Sequence, residues 1–141
     1  MGTQPPAVKG ELIGEVRGKS TTTTIKEISP AGVRMEVNDQ GEVKGRYNAS
    51  HMETVSIWLK PDGTNEWENK GIQATREGDF IVVTGKGRGK STGPTTGSWE
   101  GDITFMTQSK SLAWLNTTRG WVEGTGNNAT GEFHGKVYAK K

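Results

Sequence analysis

Glycine at every second position is the feature that most constrains this sequence. Between residues 85 and 90 glycine alternates with lysine or arginine, so an extended strand would carry a bare face opposite a wholly basic one. A bare inner face lets a sheet bend sharply or lets a bulky group approach the backbone. Two interpretations stay open: a Trp side chain from a neighbouring strand lies against this face, which is the commoner arrangement, or a ligand does.

A six-residue pattern of Gly-Glu-apolar-basic-Gly-basic occurs three times. The copies occupy residues 14–19, 41–46 and 131–136. In a strand the two glycines and the apolar residue share one face, and the charged residues share the other. The unequal spacing excludes a solenoid. Because copies lie near both ends of the fold, they predict that the first and last strands pair and close a barrel without exposed edges.

The composition and the turn signals also favour strands. Thr, Val and Ile supply 35 of the 141 residues, whereas Leu and Ala supply 11. Turn signals recur at residues 29–32, 38–41, 60–63, 76–79, 91–94, 118–120 and 126–128. We therefore predict an all-β fold, a single antiparallel closed β-barrel of about 8–10 strands over residues 10–141. Residues 1–9, with tandem proline, are predicted to form a loose leader.

Several classes of function are disfavoured by what the chain lacks. It has no cysteine, no apolar run of about 18 residues and no secretory signal at its start. We expect a cytoplasmic protein with no cofactor, no bound metal, and neither membrane nor nucleic acid as a partner. The basic stripe of Lys86, Arg88 and Lys90 is interpreted as a solvated strand face, because 18 basic residues are balanced by 16 acidic ones.

His51 and Glu53 are the candidates for catalysis. At strand period they share a face with Val55 and Ile57, which would place a histidine and a carboxylate at the edge of an apolar interior. The commoner arrangement would have the strand begin later, with His51 in the preceding turn. The other histidine, His134, falls on the charged outer face of its repeat, and no local spacing supplies further ligands for a metal site.

Aromatic and branched side chains supply the candidate ligand-binding residues. Five Trp residues could line a pocket, or could simply fill a core that has only four Leu. The candidates are Tyr47, Val55, Ile57, Trp58, Trp99 and Phe105. The strand over residues 52–60 is half-apolar on its other face too, which predicts a homo-oligomer that covers it.

Five segments of the chain together resemble a family of short prokaryotic and archaeal β-rich proteins. They are residues 10–15, 60–63, 85–94, 99–101 and 111–116. No activity is established for that family, so the resemblance implies no catalytic residues. In architecture the chain is also similar to small closed barrels of the allene oxide cyclase and lipocalin-like type, a likeness that implies a fold and not a function.

Three functions follow as hypotheses. The first is a barrel that binds a small, mostly apolar molecule in its interior. The second is an isomerase or cyclase in which His51 or Glu53 moves a proton inside the cavity, and it requires a titratable side chain there. The third is a structural or interaction protein with a filled core.

Overall fold

A computed structural model describes residues 9–141 of the chain. Eight strands and one short 3-10 helix follow in order: β1 (Lys9–Ser29), β2 (Gly32–Gly45), β3 (Ala49–Leu59), β4 (Thr64–Ala74), β5 (Phe80–Ser91), β6 (Thr96–Thr107), the helix (Ala113–Thr117), β7 (Arg119–Asn127) and β8 (Glu132–Lys140). The leader predicted for residues 1–9 lies outside the described residues except for Lys9, with which β1 begins. Among the described residues, no helix has the length and apolar character needed to cross a bilayer.

The strands form one closed antiparallel barrel in which every strand pairs with its neighbours in sequence. The predicted pairing of the first and last strands is confirmed, since β1 pairs with β8 from Lys9–Lys140 to Lys19–Glu132. The three copies of the glycine repeat fall on the adjacent strands β8, β1 and β2. Gly18 lies opposite both Gly41 and Phe133, so the backbones approach closely where the sheet bends.

Trp67 covers Gly87, the middle glycine of the bare face of β5, as the commoner interpretation predicts. A Cβ atom on Gly87 would lie 2.6 Å from the ring of Trp67, and one on Gly101 of β6 would lie 2.7 Å from it. The Trp67 indole N–H donates a hydrogen bond to the carbonyl of Arg88 at 3.2 Å. The glycines therefore make room for a large ring inside a narrow barrel.

The two ends of the barrel differ. At one end the segment after β6 folds over the interior, where Leu112 and Leu115 pack into the core. The Asn116 side chain fixes this segment, because it accepts a hydrogen bond from the backbone N–H of Thr107 at 2.8 Å and donates one to its carbonyl at 3.0 Å. At the opposite end, around the turn between β5 and β6, the cavity reaches the exposed residues Ser91 and Thr96.

The turn predicted at residues 38–41 is wrong, because β2 runs through it without interruption. Asn38 and Asp39 are common in turns, but here they continue the alternation of the strand, and Gly41 lies opposite Gly18. The strand stays paired on both sides, with β1 and with β3. Asp39 is consequently held on the inner face.

Beyond Ser20, β1 has a neighbour on one side only. Its ladder with β8 ends at Lys19, and among the described residues only β2 pairs with the remainder, which extends to Ser29. The register of that remainder shifts twice, between Ser20 and Thr22 and between Ile25 and Glu27. These irregularities are β-bulges, which interrupt the regular spacing of the strand's polar groups.

Candidate functional site

The interior of the barrel is a cavity of about 490 Å³. A volume of this order is typical of small-molecule sites. Five of the six predicted ligand-binding residues line it, namely Tyr47, Val55, Ile57, Trp99 and Phe105. The apolar wall is completed by side chains including Trp67, Val83 and Ile103.

Trp58, the sixth predicted residue, lies outside the barrel. Alternation along β3 turns it away from the interior, since Ile57 and Leu59 on either side of it point inward. It packs instead beside its cross-strand partner Arg34, whose guanidinium lies 4.5 Å from the centre of the indole ring. The prediction that Trp58 binds an interior ligand is therefore wrong.

A polar cluster interrupts the apolar wall near the closed end. Asp39 on β2 is the cross-strand partner of Glu53 on β3, and His51 lies two residues before Glu53 on the same inner face. The commoner placement of His51 in a turn is wrong, because β3 begins at Ala49 and the histidine is 93% buried. Its Nε2 atom lies 3.3 Å from Glu53 Oε2 and 3.9 Å from Asp39 Oδ1.

A chain of hydrogen bonds sets the protonation of the His51 ring. The Tyr47 hydroxyl donates to Gln73 Oε1 at 2.6 Å, which leaves the Gln73 amide N–H to donate to His51 Nδ1 at 3.0 Å. Because Nδ1 is then an acceptor, this hydrogen bond favours the neutral ring with its proton on Nε2. That nitrogen is the one on the side of the ring nearest to the Glu53 carboxylate.

The two carboxyl groups have opposite protonation. Burial, reinforced by the negative charge of Glu53, raises the pKa of Asp39 to about 9. Burial alone would raise the pKa of Glu53 too, but the facing His51, through hydrogen bonding and charge, lowers it below its usual value, as do hydrogen bonds from Asp39 and from Asn69, whose amide donates at 2.7 Å. At neutral pH the cluster therefore contains a neutral acid beside a carboxylate.

The same three residues have the composition of a metal site. One ligand atom from each of Asp39, His51 and Glu53 lies within 4.8 Å of the others. A metal would need the Nε2 lone pair of His51, and metal-binding histidines normally donate their other ring N–H to an acceptor. Here Nδ1 accepts from Gln73, so the hydrogen bonds favour proton chemistry at this cluster.

Asp39, Asn69 and Gln73 are the site residues that sequence reasoning missed. Asn69 and Gln73 share the inner face of β4 with Trp67 at strand period, and Asp39 continues the face that begins with Met35 and Val37. The signal was therefore present in the alternation. Asn and Asp are also common in turns, and this preference pointed to a turn where the alternation indicated a strand.

The outer surface carries the remaining predicted features. His134 lies there and pairs with Glu15 at 2.7 Å. In the basic stripe, Arg88 pairs with Glu100 at 3.5 Å. A row of exposed apolar residues crosses four adjacent strands at one register: Met52, Ile72, Val82 and Met106 are successive cross-strand partners.

The fold and the site define a small closed β-barrel whose cavity holds titratable residues at its closed end. No family model matches the chain, and no curated protein sequence matches it. Its fold is that of small bacterial barrel proteins without an assigned function. A protein of unknown function from Clostridium acetobutylicum has a TM-score of 0.82 at 16% identity, with 93% of this chain and 97% of that chain covered.

Two further solved structures share the fold. A β-barrel-like protein from Acinetobacter baumannii has a TM-score of 0.76 at 16% identity, covering 98% of this chain and 99% of that one. A protein described as an enzyme from Penicillium herquei has a TM-score of 0.69 at 19% identity, with the same coverage. At identities this low, the TM-scores establish a shared fold and not a shared activity.

Proposed function

We propose that this protein binds a small, mostly apolar molecule inside its barrel. The observation that carries the proposal is an open cavity of about 490 Å³ whose apolar wall ends, near the closed end, in the polar cluster of Asp39, His51 and Glu53. Apolar walls with a few convergent polar groups are typical of small-molecule sites. The unfilled interior also counts against a purely structural role with a packed core.

Burial of apolar surface would supply most of the affinity. A molecule the size of an aromatic side chain has about 150–250 Å² of surface to bury. At about 25 cal/mol per Å² this contributes ~4–6 kcal/mol, equivalent to a Kd between ~1 mM and tens of micromolar. Polar contacts with the cluster of Asp39, His51 and Glu53 would orient the ligand and add to this value.

Titration with a panel of apolar compounds tests the proposal. Trp67 and Trp99 line the cavity, so a bound molecule should change the intrinsic fluorescence. Saturable changes, accompanied by a rise in Tm that depends on ligand concentration, are expected. Emission and Tm that stay constant across hydrocarbons, alcohols, ketones and amines would overturn the proposal.

A second candidate is an isomerase or cyclase that moves a proton within the cavity. Its required feature, a titratable side chain inside, is met by Asp39, His51 and Glu53, and one protein of the same fold is described as an enzyme. A neutral acid beside a carboxylate can donate and accept a proton without a cofactor. Deuterium incorporation next to the carbonyl of a bound ketone, followed by NMR in D2O, tests this candidate function. If the wild-type protein exchanges deuterium no faster than Glu53→Gln, the candidate is excluded.

The homo-oligomer and the cytoplasmic location stay predictions. The row of Met52, Ile72, Val82 and Met106 is where we propose that a second copy packs, because apolar residues aligned across four strands form a continuous surface. An apolar row is also self-complementary about a two-fold axis.

A further inference from the structure

The hydrogen-bond donors of the inner cluster are directed at one another. Tyr47 donates to Gln73, Gln73 donates to His51, and Asn69 donates to Glu53. His51 Nε2 lies 3.3 Å from Glu53 Oε2. These bonds leave the cavity wall with little donor capacity for a ligand.

The polar atoms left over in the cluster are acceptors. Asp39 Oδ1 and Asn69 Oδ1 are buried, and no N–H or O–H group of the described residues donates to either. The Asn69 oxygen lies above the bare backbone of Gly85, 2.7 Å from where a Cβ atom would be, so it projects into the barrel. A buried acceptor without a partner is unfavourable, and a donor on the ligand would satisfy it.

The cluster also lacks a counter-ion. The side chains of Asp39 and Glu53 are 93% and 88% buried, and the hydrogen bond from Gln73 to Nδ1 favours a neutral His51 ring. Among the described residues that line the cavity, the one lysine or arginine is Lys90, which is exposed at the open end. A buried negative charge without a cation is costly, so the site is complementary to a positively charged group.

We propose that the ligand's polar end is a protonated amine, bound by Glu53, Asp39 and the side-chain carbonyl of Asn69. This inference rests on the proposed function and specifies its ligand class. An ammonium group supplies three donors to three acceptors. Trp67 and Trp99, packed edge to face with centroids 6.4 Å apart, would enclose the apolar remainder.

Three compounds with one carbon skeleton test the proposal: phenylbutylamine, phenylbutanol and butylbenzene. Calorimetry on the wild-type protein at neutral pH should give an affinity for the amine at least ~10-fold higher than for the alcohol, because hydrogen bonds to charged groups are the stronger ones. If the alcohol or the hydrocarbon binds as tightly as the amine, this inference is wrong and the proposed function stands. If none of the three binds and the wider panel of apolar compounds fails too, the proposed function itself is wrong.

Matched variants locate the amine. Glu53→Gln should weaken amine binding by ~30-fold or more and leave alcohol binding within about threefold, because it removes one partner of a buried charge pair. Ile57→Ala, which trims the apolar wall, should weaken all three compounds to a similar degree. Near-UV circular dichroism checks that each variant is folded, and equal losses for the amine and the alcohol in Glu53→Gln would contradict the assignment. Should Glu53→Gln fail to fold, the wild-type comparison still decides.

A divalent cation is the competing occupant. Zn²⁺ and Mn²⁺ are titrated alone and then together with the amine. If either ion binds at micromolar concentration, displaces the amine and loses its site in His51→Ala, the cluster is a metal site and the amine proposal is wrong. Amine binding that is insensitive to both ions supports it.

Discussion

Asp39 and Glu53 face each other as direct cross-strand partners, and both side chains point into the barrel. Two carboxyl groups in one buried site cannot both ionise at low cost, so one of them keeps its proton. The donors that surround Glu53 stabilise its carboxylate, and Asp39 is the residue that stays neutral. The pair thereby links the protonation of the cavity to the stability of the fold.

Asp39→Asn should stabilise the protein increasingly as pH rises. The aspartate pKa is 3.8 without perturbation and about 9 in the fold. Between these values the folded protein holds a proton that the unfolded chain has released, so the free energy of unfolding falls as pH rises through this window. Asparagine resembles the neutral acid and has no such dependence.

We expect Tm of Asp39→Asn to exceed that of wild type by at least ~3 °C at about pH 8, and by less at about pH 5. Differential scanning calorimetry at both pH values measures this. The exposed Glu77→Gln is the control for loss of one negative charge. A Tm difference that is the same at both pH values would contradict the pKa of Asp39.

Gly87→Ala should destabilise the barrel severely. The new Cβ atom would lie 1.9 Å from the carbonyl oxygen of Glu100 and 2.6 Å from the Trp67 ring. Overpacking of this kind costs roughly 1–3 kcal/mol or more. Urea unfolding gives the value, and Gly126→Ala is the control, because its nearest neighbour would be 3.6 Å away. Equal stability of the two variants would show that the β5 glycines do not accommodate Trp67.

Trp99→Phe should lose much of the fluorescence response to any ligand of the cavity. Trp99 lines the interior, whereas Trp58 lies outside against Arg34. Trp58→Phe is therefore the matched control and should keep the full response. The reverse result would place the ligand on the outer surface of β3.

The His51 ring should be neutral with its proton on Nε2. ¹⁵N–¹H correlation spectra of the imidazole distinguish this tautomer from the other tautomer and from the cation. Gln73→Leu removes the donor to Nδ1 and should change the populations of the two tautomers. A cationic ring in the wild-type protein at neutral pH would refute the hydrogen-bond pattern.

Val82→Lys should dissociate the oligomer that the sequence predicts. Val82 is 41% exposed in the middle of the apolar row, so a lysine there is tolerated by the single chain. Thr84→Lys, two residues along the same outer face, is the control. Sedimentation equilibrium measures the mass of each, and a wild-type protein that is monomeric at all concentrations would refute the prediction.

The barrel could be predicted from the sequence because one pattern marks both where single strands bend and which strands close the sheet. The glycine repeats that bend the strands also lie on the strands that close the sheet, as the pairing of Gly18 with Gly41 and Phe133 shows. Alternation identified the inner face of β3 and offered His51 and Glu53 as residues on it, although a turn was the commoner placement for His51.

The site was predicted less completely, for two physical reasons. Asp39 and Asn69 carry the side chains that turns prefer, and their burial depends on partners that only the closed sheet supplies. Trp58 has the character of a pocket residue, but its position in the alternation faces it outward. Whether five Trp residues fill a core or leave a cavity depends on three-dimensional packing, which no local pattern records.

The two bulges in the outer half of β1 have a consequence for how this protein behaves at high concentration. That half is rich in threonine and isoleucine and is exposed, a composition prone to intermolecular stacking into fibrils. A strand from another molecule could pair with this half of β1 only if the amide and carbonyl groups of β1 were evenly spaced. The bulges interrupt that spacing. The irregular spacing of this half of β1 thus disfavours pairing with a strand of another molecule.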